Sequence, residues 1–158
     1  MKIKNIELII YDFDGVMTDN KAYVFQDGSE AVRVNRSDGL AVRMIKDLGI
    51  KQVIISMETN PVVRARAKKI GIPCINGVGN KLAVVKDYLK KNKIDKKNVV
   101  FIGNEINDVL AMQYVGVPVS PADAYPEVKK ISKIVLKTKG GHGAVREFME
   151  ILKKGLSK

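Results

Sequence analysis

The sequence predicts an α/β fold in three layers, a parallel sheet with helices on both faces. Three apolar runs at residues 6–11, 51–56 and 98–103 are rich in β-branched residues and stop abruptly at a polar residue or glycine, as strands buried on both faces do. Helical patterns fill the intervals between them, and strands alternating with helices require the crossovers that make neighbouring strands parallel. The length of 158 residues sets the scale at one domain spanning residues 1–158, with a core that needs no disulfide staples.

The first strand, Ile6-Glu7-Leu8-Ile9-Ile10-Tyr11, ends at Asp12. Directly after it, residues 21–35 break the alternation: Tyr23-Val24-Phe25, a turn at Asp27-Gly28 and Ala31-Val32-Arg33-Val34 read as a β-hairpin. Helices follow at 39–48, 60–70, 81–92 and 107–114, with short strands at 74–75 and 117–119 completing the sheet. Asn60-Pro61 sets a capping side chain before a proline suited to the first helical turn, and Gly49 and Gly71 stand where helices end. A late strand is expected at 131–136. A final helix at 144–154 carries Val145, Phe148, Met149 and Leu152 at helical spacing.

Hydrophobic residues make up 46% and charged residues 28% of the chain, the balance of a globular protein rather than a disordered one. The net charge of +11 invites a nucleic-acid partner, but the basic runs at 64–69, 90–93 and 96–97 fall on helices or their exits, and aromatics are only 6% with no Trp. Solvated helix faces explain such runs, so no specific nucleic acid is expected, and the positive field suits anionic substrates. The single Cys74 excludes a disulfide within the chain. No apolar stretch approaches the roughly 20 residues of a membrane span, and no signal peptide is visible, so a cytoplasmic location without a membrane is expected.

In open parallel sheets the ligand site lies beyond the carboxyl ends of the strands. Those ends deliver Asp12-Phe13-Asp14-Gly15-Val16-Met17-Thr18-Asp19, then Ser56-Met57-Glu58, then Gly103-Asn104-Glu105-Ile106-Asn107-Asp108. Lys81, after Gly77-Val78-Gly79-Asn80, opens a helix whose amides also favour anions. Carboxylates at i and i+2 beyond a buried strand need a cation or a shared proton. A hard cation is the economical answer, because Mg²⁺ takes carboxylates, amide oxygens and phosphate oxygens, which suits Asp12, a ligand near Asp14 and Asn104. A carboxylate also serves as a nucleophile toward phosphorus while its neighbour handles the leaving-group proton.

These segments resemble, in order, the four motifs of the haloacid dehalogenase superfamily, the first matching the DxDGxxTD form of its phosphatase branch. The resemblance covers nearly the whole chain. It implies a Rossmann-like three-layer sandwich, Asp12 as nucleophile and metal ligand, and Asp14 as acid/base with its carbonyl on Mg²⁺. It further implies Ser56 and Lys81 on phosphate, Asn104 as the third protein ligand, and Asn107 and Asp108 in support of phosphate and metal-bound water. One departure stands out, since the fourth motif usually begins Gly-Asp and this chain has Gly103-Asn104. An amide oxygen still ligates Mg²⁺, with one negative charge fewer.

The insertion after the first motif is too short for a cap domain, so the chain resembles the capless phosphatases of 3-deoxy-D-manno-octulosonate 8-phosphate. That likeness implies a homotetramer in which neighbouring subunits cover each active site, with the hairpin at 21–35 and the tail and helix at 139–158 as the corresponding segments. Glu58, Arg66 and Lys69 are similar to the leaving-group residues of the 2-keto-3-deoxynonulosonate 9-phosphate phosphatases, which implies that they read a sugar acid across a subunit interface. Arginine is physically suited to carboxylates. Two alternatives accompany this reading: a phosphatase for another small sugar phosphate, and a catalytically weakened regulatory protein of the same fold, with Asn104 as its sign. His142 reads as a turn residue, Cys74 as a small buried hydrophobe, and Thr18 and Asp19 as residues that hold their loop through local hydrogen bonds.

Overall fold

A computed structural model describes residues 5–156; the ends of the expected 1–158 domain and of the 139–158 segment lie outside the described residues. Six parallel strands run in the order β5 (Cys74–Ile75), β4 (Lys51–Ile55), β1 (Leu8–Tyr11), β6 (Val99–Ile102), β7 (Val117–Ser120), β8 (Ile134–Val135). Alternation along β1 divides the core in two. Ile9 and Tyr11 face a cluster with helices α1 (Arg36–Asp47), α2 (Val62–Ile70) and α6 (Ala144–Leu156), while Leu8 and Ile10 face α3 (Lys81–Asn92), α4 (Val109–Tyr114) and α5 (Pro126–Ile131). With both faces covered, every residue of β1 is 0% exposed, which is why the strand reads as a continuous apolar run. Truncating a side chain such as Phe148, also 0% exposed, costs about 3–5 kcal/mol.

The hairpin forms its own antiparallel sheet, β2 (Thr18–Val24) with β3 (Glu30–Val34). It begins three residues before the predicted start because Thr18 pairs with Val34 across an irregularity that ends at Ala22. Asp27 closes the turn by accepting from the Ser29 N–H at 2.9 Å and its hydroxyl at 2.7 Å. Other boundaries differ from the sequence reading as well. Helix α1 starts at Arg36 rather than at 39, because the Asn35 side chain caps it by accepting from Ser37 N at 2.9 Å. The strand expected at 131–136 is shorter: Ile131 is the last residue of α5, a helix with Pro126 in its first turn and Val128 buried in the core, and only Ile134–Val135 pairs with β7. At α2 the Asn60 side chain accepts from Val62 N at 3.0 Å, but the helix starts at Val62, so Pro61 rather than Asn60 stands at its N-cap.

Candidate active site

The adjacent strands β4, β1 and β6 end at the same edge of the sheet and place Ser56, Asp12 and Asn104 side by side. Lys81 reaches them from the first turn of α3, which Asn80 caps by accepting from Ala83 N at 3.0 Å. Its side chain is 1% exposed, and its Nζ lies 2.9 Å from Asp12 Oδ1 and 2.6 Å from Asp108 Oδ1. It also donates to Asn107 Oδ1 at 3.3 Å. The second oxygen of Asp108 accepts from Asn104 N at 3.0 Å and Glu105 N at 3.1 Å, so this fully buried carboxylate ties the turn after β6 to the lysine.

Two buried carboxylates share one ammonium, and their titration reflects it. Burial pushes Asp12 up to about 7, and the Asp108 charge adds to that; the Lys81 charge, its hydrogen bond and the Phe13 N–H pull the other way. Burial acts on Lys81 to lower its pKa, yet the charges and hydrogen bonds of Asp12 and Asp108 outweigh it and hold the ammonium above its ordinary value. Asp14 is raised by burial, opposed by a hydrogen bond from Thr18 Oγ1 at 3.1 Å, with Glu58 and Glu30 adding to the rise. The Thr18 hydroxyl oxygen meanwhile accepts from Gly15 N and Asn20 N, both at 3.2 Å, so it does hold the loop as expected.

Asn104 is 5% exposed, and its Oδ1 has no hydrogen-bond partner. The amide rests on Gly15, where a Cβ would overlap it. Among the described residues no three His, Cys, Asp or Glu side chains converge as a metal cluster; an amide oxygen such as that of Asn104 falls outside that set of donors. An unpartnered buried oxygen, beside a loop carrying two carboxylates and only one nearby lysine, fits a hard divalent cation.

Ser56 is buried and its Oγ accepts from Glu58 N at 3.1 Å, which leaves the hydroxyl proton to donate. Glu58 bends back to accept from Thr59 N at 2.7 Å and Asn60 N at 2.8 Å, and with Asp14 it lines a cavity of about 110 Å³ under the hairpin. Arg66 and Lys69 lie elsewhere. They line a separate groove of about 770 Å³ with Arg36, Arg43 and Lys46, where Arg66 Nη2 donates to Asn35 O at 2.9 Å. Within one chain, Glu58 therefore meets Asp14, and the two cations grouped with it by the resemblance do not. Glu30 and Asn60 line the Asp14 cavity as well and are joined by a 3.1 Å hydrogen bond. Sequence reading assigned no site role to Glu30, and its only signal was a carboxylate opening the second hairpin strand.

A family model described as haloacid dehalogenase-like hydrolase matches residues 50–149, a stretch that holds Ser56, Lys81 and Asn104 to Asp108. The 3-deoxy-D-manno-octulosonate 8-phosphate phosphatase of Escherichia coli K12 is 35% identical over 152 residues, 96% of this chain and 81% of that protein. The N-acylneuraminate cytidylyltransferase A of Danio rerio is 31% identical over 92% of this chain but only 34% of its own length. Among solved structures, the octulosonate phosphatase of Moraxella catarrhalis with magnesium, phosphate and KDO superposes with a TM-score of 0.94 at 30% identity, covering 98% of this chain and 89% of that one. A cluster of oxygen donors and one buried lysine at the ends of three parallel strands, in a chain so related, makes this protein a phosphatase of the haloacid dehalogenase-like hydrolase family.

Proposed function

We propose that the protein is a Mg²⁺-dependent phosphomonoester hydrolase for a 3-deoxy-ulosonic acid sugar phosphate, an octulosonate 8-phosphate or nonulosonate 9-phosphate, working through an aspartyl-phosphate. The observation that carries this reading is the buried Asp12 paired with Lys81 at the end of the central strand, with Asp14 two residues on. An oxygen of Asp12 attacks phosphorus as the bond to the leaving oxygen breaks, and Asp14 protonates that oxygen. Asp14 then takes a proton from the water that attacks the phosphorus of the aspartyl-phosphate and releases phosphate. Its raised pKa suits it to carry the proton in the first step. Lys81 and the Ser56 hydroxyl hold the non-bridging oxygens as charge gathers on them. Asp12, Asn104 Oδ1 and the Asp14 carbonyl would hold Mg²⁺, which when bound offsets the charge of phosphate and carboxylates. Asp108 and Asn107 keep Lys81 aimed, consistent with the hydrogen bonds they accept.

Similarity to the octulosonate phosphatases supports the substrate class, and Glu58 beside Asp14 supports recognition of the sugar next to the phosphoester. Arg66 and Lys69, on another face, serve the site of a neighbouring copy. That arrangement supports a homotetramer with active sites at subunit interfaces, as does the exposed hairpin segment Tyr23, Val24 and Phe25. Steady-state phosphate release with Mg²⁺ tests the reading on octulosonate 8-phosphate, nonulosonate 9-phosphates, hexose phosphates and an aryl phosphate. A preference of about a hundredfold in kcat/KM, about 2.7 kcal/mol, for one ulosonate is the expected result. Flat activity assigns another small sugar phosphate, and Mg²⁺ binding without turnover assigns a regulatory protein of this fold.

A further inference from the structure

The turn between β8 and α6 is tied down from outside and pressed against the catalytic loop from inside. Glu147, in the first turn of α6, accepts from Lys137 N at 3.0 Å and Thr138 N at 2.7 Å with separate oxygens. Thr138 O accepts from Ala122 N at 3.0 Å, and one residue further Asp123 Oδ1 accepts from Gly140 N at 2.9 Å. On the inner side Gly141 N donates to Val16 O at 3.0 Å. A Cβ on Gly140 would overlap the Gly15 carbonyl, and one on Gly141 would overlap the backbone between Thr18 and Asp19. These are backbone atoms against backbone atoms, with no flexible side chain to yield. Residues 15–18 therefore cannot move outward unless residues 140–141 move with them. The same loop carries the Thr18 hydroxyl that donates to the Asp14 carboxylate.

We propose that Asp123 is a positioning residue for Asp14: by fixing Gly140 N it sets a two-glycine strap behind residues 15–18 and so holds the carboxyl group that serves the leaving oxygen. The proposal rests on the assignment of Asp14 as the acid. Proton delivery matters in proportion to the basicity of the leaving group. When the P–O bond breaks, the electron pair of a sugar alkoxide needs the Asp14 proton, whereas nitrophenolate is stable without it. A misplaced acid thus slows alkyl phosphates selectively, while a general loosening of the fold slows both kinds of substrate alike.

The test measures kcat of the full chain with Mg²⁺ on octulosonate 8-phosphate and on 4-nitrophenyl phosphate, for the wild type, Asp123→Ala and Asp123→Asn. Asp123→Ala should lose about tenfold on the sugar phosphate and stay within about twofold on the aryl phosphate. Asp123→Asn should restore the sugar phosphate rate, because its amide oxygen can accept the same bond. Equal losses on both substrates, no loss on either, or an Asn variant as slow as the Ala variant would overturn the positioning role. An Asp14→Asn variant that keeps the full sugar phosphate rate would instead overturn the acid assignment, and the strap's role with it.

Discussion

At the phosphate end of the cleft, Asp12, Ser56, Lys81 and Asp108 are each no more than 5% exposed and stand at the ends of packed strands and the start of a long helix. At the leaving-group end, Glu30 is exposed and Glu58 and Asn60 are half-buried, and they belong to a two-stranded hairpin and the loop after β4. The first region is fixed by the core, so its charges are expensive to misplace and its chemistry is independent of what the phosphate is attached to. The second is more open to solvent, and its hairpin and loop are joined by the Glu30 to Asn60 hydrogen bond. On the proposed function, reaction and selectivity fall to structures of different rigidity, and substitutions should separate them.

The largest effect is expected at the proposed nucleophile. Asp12→Asn should lower kcat by about 10⁴-fold or more on every substrate, aryl phosphate included, with the fold intact by circular dichroism. Loss confined to sugar phosphates would break the division between the two ends. Lys81→Met comes next, since it leaves Asp12 and Asp108 buried without a counter-charge; a loss of about 3–5 kcal/mol should appear as a lower denaturant midpoint at pH 7.5.

A control outside the cleft follows. Asp38, only 2% exposed, gives one oxygen to Arg146 N at 2.9 Å, while its other oxygen has no partner. Burial pushes it up to about 6, against the backbone hydrogen bond and the Arg66 charge. Its folded pKa lies above the unfolded value, so the folded chain binds the extra proton between about pH 4 and pH 6, and stability falls as pH rises through that window. Asp38→Asn keeps the acceptor and removes the charge. It should add about 2–3 kcal/mol at pH 7.5 and nothing below about pH 4 in denaturant melts. The smallest effect sharpens the comparison directly: Glu58→Ala should cost about tenfold in kcat/KM on the preferred sugar phosphate and leave the aryl phosphate within about twofold.

The rigid end was legible in the sequence because the same burial that fixes it also writes it. β1, β4 and β6 are apolar runs that stop abruptly at polar residues or glycine, and Asp12-x-Asp14 beyond a buried strand calls for compensation, of which the Lys81 ammonium beside Asp12 supplies part. Asn35 as a cap and α5 were harder to see. The first looks like the end of a strand, and the second is six residues long and was obscured by the apolar residues at 131–136. The positions of Arg66 and Lys69 depend on how α1 packs on α2, which no spacing along α2 reveals. The contact of Gly140 with Gly15 joins residues far apart in the chain, and Asp123 carries no local mark of its part in it.

The order of the sheet also governs how the protein comes into being. β1 precedes both of its sheet neighbours in the chain: Leu8 pairs with Lys51 on one side and with Val99 on the other. The strand that leads into Asp12 can pair on its second edge only once β6 is in place, a long-range closure that slows folding and prolongs the exposure of Leu8-Ile9-Ile10-Tyr11. Asp108, which follows β6, can share the Lys81 ammonium with Asp12 only once β6 is beside β1. Regain of phosphatase activity during refolding is therefore a clock for the last event at the centre of the sheet, running behind any probe that sees helices alone.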